Sequence, residues 1–163
     1  MIFNETDFPI KESEVTKCIK NLKNKKAAGL DCILNKMIKY SQSYLTPVYT
    51  KQLNEILGTG IYPTSWKQGY IIPIYKNGDR SDPNNYRGIT IISNIAKLFN
   101  SVINNRLIKF IENNNLIDEN QIGFKQKSRT SDHVFVLKSL IDKYLSNGNK
   151  LYTCFVDFSQ SIW

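Results

Sequence analysis

Val15, Ile19 and Leu22 recur with the period of an α-helix, and Lys23, Lys25 and Lys26 follow them shortly before Gly29; the spacing predicts a helix over 13–25 with cations near its C-terminus. A second helical region is expected over 35–57. Tyr49, Leu53, Ile56 and Leu57 share one side of it, Thr46-Pro47 predicts a break, and Gly58 and Gly60 are stop signals. The β-branched run Ile71, Ile72 and Ile74 predicts a strand over 69–75, which Pro73 places on a sheet edge or at a bulge. Asn77-Gly78 signals a turn, a loop with Asp79, Arg80, Asp82 and Pro83 follows, and 86–92 supplies a second β-branched arm. The pair predicts a long hairpin with a basic edge. Ser93 is a fitting N-cap for a helix carrying Leu98, Phe99, Val102, Leu107, Phe110 and Ile111 up to an Asn stop at 113–115. Ser131 is the expected cap of a last helix through Val134, Leu137, Leu140, Ile141, Tyr144 and Leu145, closed by Asn147-Gly148. The mostly apolar segment 151–158 predicts a final strand. The fold class so read is α+β, with helices outnumbering strands and no internal repeat.

The length, 163 residues, suits one domain or a piece of a larger one. Against 14 Asp and Glu stand 22 Lys and Arg, a formal net charge of +8 that favours polyanionic partners. Hydrophobic residues at 41% and aromatics at 12% exclude a mainly disordered chain. No apolar run nears the ~18 residues that cross a bilayer, so no membrane span is expected. Glu5, Asp7, Glu12 and Glu14 stand where a secretory signal would be basic and then apolar, which predicts a non-secreted chain. Cys18, Cys32 and Cys154 are odd in number and form no CxxC pair. Neither a zinc site nor a disulfide framework is indicated, and a reducing compartment is the expectation.

Candidate chemistry concentrates near residue 157. In Leu151-Tyr-Thr-Cys-Phe-Val-Asp157-Phe158 a strand delivers a carboxylate at its C-terminal edge, a rigid way to offer a hard oxygen ligand to a divalent cation. An Asp that caps the following element fits the same spacing, and spacing alone favours that simpler reading. Lys76 and Arg87 flank the hairpin tip. Solvated surface charge is the common fate of such residues, but a guanidinium between Tyr86 and a β-branched strand suits bidentate phosphate binding. Lys125 and Arg129 put cations on either side of the short stretch after Gly123, consistent with a loop near a nucleic-acid backbone and equally with a solvated charge run. His133, the one histidine, reads as a helix-start or packing residue, and Tyr62, Trp66 and Tyr86 read as core aromatics.

From about Glu14 to Phe158 the chain carries an ordered series of strings: Lys23-Asn-Lys-Lys-Ala-Ala-Gly29-Leu-Asp31, Tyr62-Pro63-Thr-Ser-Trp66-Lys67, Ile72-Pro73-Ile-Tyr-Lys76-Asn-Gly-Asp79, and Asn85-Tyr86-Arg87-Gly88-Ile-Thr. After them come Gln121-Ile-Gly123-Phe124, Ser128-Arg129-Thr130-Ser131-Asp132-His133 and Phe155-Val-Asp157-Phe158. Each alone is weak; in this order and spacing they are specific. The series resembles the N-terminal half of the reverse transcriptase domain of non-LTR (LINE-like) retrotransposons.

That resemblance implies a partial reverse transcriptase domain over 1–163. Right-hand polymerase fingers would occupy about 14–148, and an incomplete palm with one terminal strand would begin at 149. It implies RNA-directed DNA polymerase chemistry with RNA template, DNA primer and dNTP as partners and Mg²⁺ as cofactor. Asp157 would be catalytic and a metal ligand. Lys76, Arg87 and Phe158 would bind nucleotide, and Lys125 and Arg129 would bind nucleic acid. In the family the strand aspartate is followed by a Lys-Ala-Phe-Asp-like stretch and later by Tyr-x-Asp-Asp, whereas here Asp157 is followed by Phe158-Ser-Gln-Ser-Ile-Trp163. Two metal ions need more acidic ligands than one aspartate supplies, so this polypeptide alone is expected to be inactive, with weak metal binding. It is also expected to self-associate through an uncovered palm strand. The alternative is a non-catalytic basic nucleic-acid-binding module that keeps the fingers fold. Localisation is left open, the parent family being intracellular and nuclear.

Overall fold

The structure is a computed structural model, and it describes residues 7–118, 121, 123 and 129–156. The chain divides into one unit up to Asn114 and another from Asn115. The first holds α1 (Glu12–Asn21), α2 (Asn35–Tyr40), α3 (Gln42–Thr59), β1 (Gly69–Tyr75), β2 (Tyr86–Ile92) and α4 (Asn94–Asn113), with short 3₁₀ turns at Thr64–Trp66 and Pro83–Asn85. The second holds α5 (Thr130–Ser146). The described residues form a helix-rich α+β arrangement in which two strands make one antiparallel pair. No helix among the described residues is long and apolar enough to cross a membrane.

The core of the first unit follows from the helical stripes. Val15, Cys18 and Ile19 of α1 point inward together, as do Tyr49, Leu53 and Ile56 of α3 and Ala96, Leu98 and Val102 of α4. Helix α1 packs on both α3 and α4, and Ile38 of α2 and Trp66 close the cluster. Fully burying each aliphatic side chain contributes about 1.5–3 kcal/mol, so this stripe-on-stripe packing dominates the unit's stability. Trp66 is buried and meets Tyr62 edge-on at 5.6 Å, and Tyr62 lies 6.1 Å from Phe99; these aromatics belong to the core, as their boundary positions suggest.

Four element boundaries differ from the sequence expectation, each for a local reason. Helix α1 ends at Asn21 rather than 25, because Leu22 leaves the helical region, Lys23 gives its carbonyl to Asn35 Nδ2 (2.8 Å), and Lys25 takes a left-handed conformation. The second helical region breaks at Ser41, not at Thr46-Pro47. Ser41 Oγ donates to the Met37 carbonyl (2.9 Å) at the end of α2, while the Ser41 carbonyl accepts the amides of Tyr44 and Leu45 at the start of α3. Pro47 lies inside α3 on its exposed side. Ser131 lies within α5 and is not its cap. Arg129 holds that place, with its backbone N–H donating to Asp132 Oδ2 at 2.8 Å. The fourth difference is the terminal strand: residues 151–156 carry no regular structure, since no described strand lies beside them to complete a ladder. Residues 157 and 158 of that expected strand lie outside the described residues.

Gly58, expected as a stop, lies inside α3, which is capped by left-handed Gly60, and Tyr86, expected in the core, packs on Tyr75 instead. Both hairpin strands have the predicted bounds, and Ser93 Oγ caps α4 by accepting the amides of Ile95 (3.1 Å) and Ala96 (3.4 Å). Helix α5 closes with left-handed Gly148, whose amide reaches the Leu145 carbonyl while that of Asn149 reaches Tyr144, a Schellman pattern.

Three polar contacts tie the first unit together, and none was foreseen. Asn94, fully buried, donates through Nδ2 to the carbonyls of Ile33 (2.7 Å) and Ala27 (3.4 Å), fastening the loop after α1 to the start of α4. Asn54 of α3 pairs with Ile10 in both directions, its Nδ2 donating to the Ile10 carbonyl at 2.9 Å and its Oδ1 accepting the Ile10 amide. Arg106, 9% exposed, makes a two-pronged bond to Glu14 (2.9 and 2.8 Å) and reaches the carbonyls of Phe8 and Pro9. The Arg106 guanidinium holds the Glu14 carboxyl below its ordinary pKa, outweighing burial, and Glu14 holds Arg106 up in turn.

Because the folded carboxylate has the lower pKa, its stabilisation is complete above the unfolded value near ~4.3 and is lost as pH falls through the folded value. Urea unfolding of Glu14→Gln should therefore show a loss at pH 7, about 1–3 kcal/mol for a bond to a charged group, that shrinks toward pH 3. An equal loss at both pH values would contradict the ion pair. A second expectation concerns Gly29, where an added Cβ would stand 2.6 Å from the Ser93 nitrogen and 2.7 Å from the Ile92 carbonyl carbon. Gly29→Ala should lower stability by about 1–3 kcal/mol. Gly58→Ala, whose Cβ enters open space within α3, should raise it by about 0.5–1 kcal/mol.

Candidate nucleotide-contacting hairpin

The register fixes where the hairpin cations lie. Gly69 pairs with Ile92, Pro73 with Gly88, Ile74 with Arg87 and Tyr75 with Tyr86, with no bulge. The Lys76 amide donates to the Asn85 carbonyl at 2.8 Å, so 76/85 and 74/87 are hydrogen-bonded pairs, and 73/88 and 75/86 are not. Pro73 therefore turns its donor-less nitrogen outward, to the free edge every strand of a two-stranded sheet possesses. The same alternation places Tyr70, Ile72, Ile74 and Lys76 on one face with Asn85, Arg87, Ile89 and Ile91. Lys76 and Arg87 are thus diagonal cross-strand neighbours at the tip end of one face, a separation that long side chains span. Both are exposed, and neither has a carboxylate within ion-pair distance among the described residues. Ile72, Ile74 and Ile89 continue that face as an exposed aliphatic strip.

The opposite face holds the tip in shape. Tyr75 and Tyr86 meet edge-on at 5.6 Å, and the Arg80 guanidinium sits 5.2 Å above the Tyr75 ring. The Tyr75 hydroxyl donates to the Gly78 carbonyl, and that of Tyr86 to the Arg80 carbonyl at 2.9 Å. Asp79 Oδ1 accepts the Ser81 amide (2.9 Å), bonds that lower the Asp79 pKa, and Asp82 Oδ1 accepts the Asn84 amide (2.9 Å). Gly78 is left-handed, with the Asn85 amide packed where a Cβ would be. The acidic residues of this loop are spent on its backbone amides, and Lys76 and Arg87 remain available on the other face.

The root of the hairpin is fixed to the core. Tyr70 donates its hydroxyl to the Ala28 carbonyl at 2.6 Å, and Ile92 packs against the buried cluster. The string around Gly29 and the hairpin strings thus converge physically. Gly29 lies against the Ile92–Ser93 backbone, and Asn94 gathers the carbonyls on either side of it.

The remaining candidates belong to the second unit or lie outside the described residues. Arg129 is exposed at the start of α5 in the second unit, and His133 lies in that helix's first turn. Lys125, Asp157 and Phe158 lie outside the described residues. Among the described residues no group of three or more His, Cys, Asp or Glu gathers to hold a metal ion. Sequence reasoning missed Asn94, Asn54 and the Arg106–Glu14 pair. Arg106 had a readable signal, falling at i+4 and i+8 from the buried Val102 and Leu98, and a cation on an apolar stripe demands a buried partner. Asn94 had none, since an Asn beside an N-cap is ordinary.

No protein-family model matches the chain. Curated sequences do. It is 30% identical over 158 residues to a probable RNA-directed DNA polymerase from transposon BS, and 28% over 159 residues to one from transposon X-element. It is 26% identical over 149 residues to the RNA-directed DNA polymerase from mobile element jockey; all three are from Drosophila melanogaster. These matches take in 94%, 95% and 91% of the chain but 17%, 18% and 16% of the relatives, so the chain spans about a sixth of their length. All three relatives are RNA-directed DNA polymerases of transposons or mobile elements, the first two named as probable. The chain is related to one segment of these retrotransposon reverse transcriptases, in agreement with the motif series it carries.

Tyr75→Ala removes the ring pair, the cation–π contact and the bond to Gly78 at once. Amide hydrogen exchange over 77–85 should accelerate at least tenfold, while the melting temperature moves by no more than a few degrees, because the tip buries little of the core. Unchanged exchange would show that the tip does not depend on this ring.

Proposed function

We propose that this chain is the fingers region, about 14–148, and the beginning of the palm, from 149, of a retrotransposon reverse transcriptase. Its hairpin would grip the triphosphate of an incoming dNTP. The observation that carries the reading is the shared face of Lys76 and Arg87: two exposed cations with no carboxylate partner among the described residues, on a tip rigidified from behind and rooted in the core. A triphosphate carries about four negative charges, and an ammonium beside a planar guanidinium fork is a suitable receptor for it. Lys125 and Arg129 would follow the backbone of RNA template or DNA primer, and Phe158 would lie against the nucleotide.

Asp157 would be one ligand of the Mg²⁺ that activates the primer hydroxyl and neutralises the leaving pyrophosphate. Hard carboxylate oxygen suits that ion. The 163-residue sequence contains no Tyr-x-Asp-Asp, so catalysis in this reading belongs to a complete polymerase hand and not to this polypeptide alone. The exposed side chains of Tyr152, Phe155 and Val156 favour self-association of the isolated polypeptide.

In a dNTP titration followed by fluorescence, Arg87→Ala should weaken binding about tenfold and Lys138→Ala, on α5, less than twofold. Equal effects would remove Arg87 from the site. Template-primer extension with Mg²⁺ or Mn²⁺ should give no product above background, and processive extension by these residues alone would overturn the assignment of catalysis to a complete hand.

A further inference from the structure

A second basic feature lies away from the hairpin tip. Between the end of α1 and the middle of α4 runs an open groove of about 740 Å³, lined by Leu22, Phe99, Ile103 and Leu107 as its apolar surfaces and by Lys23, Lys97, Asn21, Asn100, Ser101 and Asn104 as its polar ones. We propose that this groove holds a nucleotide of a single-stranded nucleic acid, with base against the apolar surfaces and phosphate at the two lysines. The proposal deepens the reading above, since it rests on the chain being a nucleic-acid-handling segment, but it assigns a different surface.

Charge selects the occupant. The lining contains two cations and no carboxylate, and among the described residues neither lysine has an acidic partner within ion-pair distance. An anionic guest is favoured over a neutral or basic peptide. The lysines are also placed, not merely present. Lys97 Nζ donates to Asn94 Oδ1 at 3.2 Å, and the Lys23 backbone is fixed by Asn35 Nδ2 on its carbonyl. The Lys97 ammonium is held at the groove by that bond, and Lys23 is set at its edge by its fixed backbone.

Shape and polarity narrow the guest further. A free phosphate would leave the apolar surfaces wet, and a lipid chain would meet the asparagines unfavourably. A nucleobase has an apolar π-face with donors and acceptors at its edge, and side-chain amides offer both functions. Asn104 is exposed along the groove. An open groove instead of a closed pocket admits a continuing strand on both sides of the bound nucleotide.

The test uses the full chain and a fluorescein-labelled 12-nucleotide oligo(U), by anisotropy across a salt series. Wild type should bind with a salt-sensitive affinity. Lys23→Gln should weaken binding about fivefold and make the log–log salt slope shallower by about 0.7. Asn104→Asp, which introduces a carboxylate, should weaken it further, while Lys51→Gln on the exposed side of α3 should leave it unchanged. Binding that persists undiminished in both groove variants would overturn the groove and leave the nucleic-acid reading intact. No binding by wild type at low salt would overturn both. A loss in the groove variants with none in Lys76→Ala and Arg87→Ala would keep the groove and separate it from the hairpin.

Discussion

The first unit depends on a close approach between two backbones. Gly29 lies against the Ile92–Ser93 peptide at a distance no side chain tolerates, and Asn94 converts that proximity into a fastening by donating to carbonyls on both sides of the glycine. Neither part suffices alone. Without the glycine the loop stands off, and without the buried amide the Ile33 and Ala27 carbonyls lose their donor. Because Ser93 caps α4 at the same point, one junction fixes the end of β2, the start of α4 and the loop after α1. Tyr70, bonded to Ala28, extends the junction to β1.

This junction explains how an exposed two-stranded hairpin keeps a defined position. Isolated hairpins are marginal in water, and Ile71, Ile72 and Ile74 are largely exposed on the two faces of β1. Order is supplied at the two ends, by the core-rooted base and by the Tyr75–Tyr86–Arg80 cluster at the tip. A cationic tip on such an arm is set at a fixed reach from the helical core, which the proposed grip on a triphosphate requires.

Secondary structure was largely legible in the residues because it rests on periodicity. The stripes of α1, α3 and α4, the bounds of both strands and the Ser93 cap all follow from local pattern. What periodicity cannot carry are contacts between segments far apart in sequence. Asn94 with Ala27 and Ile33, Asn54 with Ile10, and Arg106 with Glu14 each join distant positions through residues whose types are common on surfaces. Pro47 is the stronger sequence signal for a break, but the break falls at Ser41, whose hydroxyl and carbonyl close α2 and open α3. The terminal strand was read from its apolar, β-branched composition, but a strand also needs a neighbour. For the candidate site, the hairpin tip was legible as two cations beside a turn signal. Their common face came from register, which the turn loop between the arms determines.

The most direct test of the junction is residue-resolved amide hydrogen exchange in Asn94→Ala. The account predicts faster exchange over 28–33 and at the hairpin base, 69–71 and 90–92, with the interior of α3 unchanged. Exchange that rises evenly across the whole unit, or that leaves the hairpin base as protected as before, would contradict the claim that this one buried amide positions the arm.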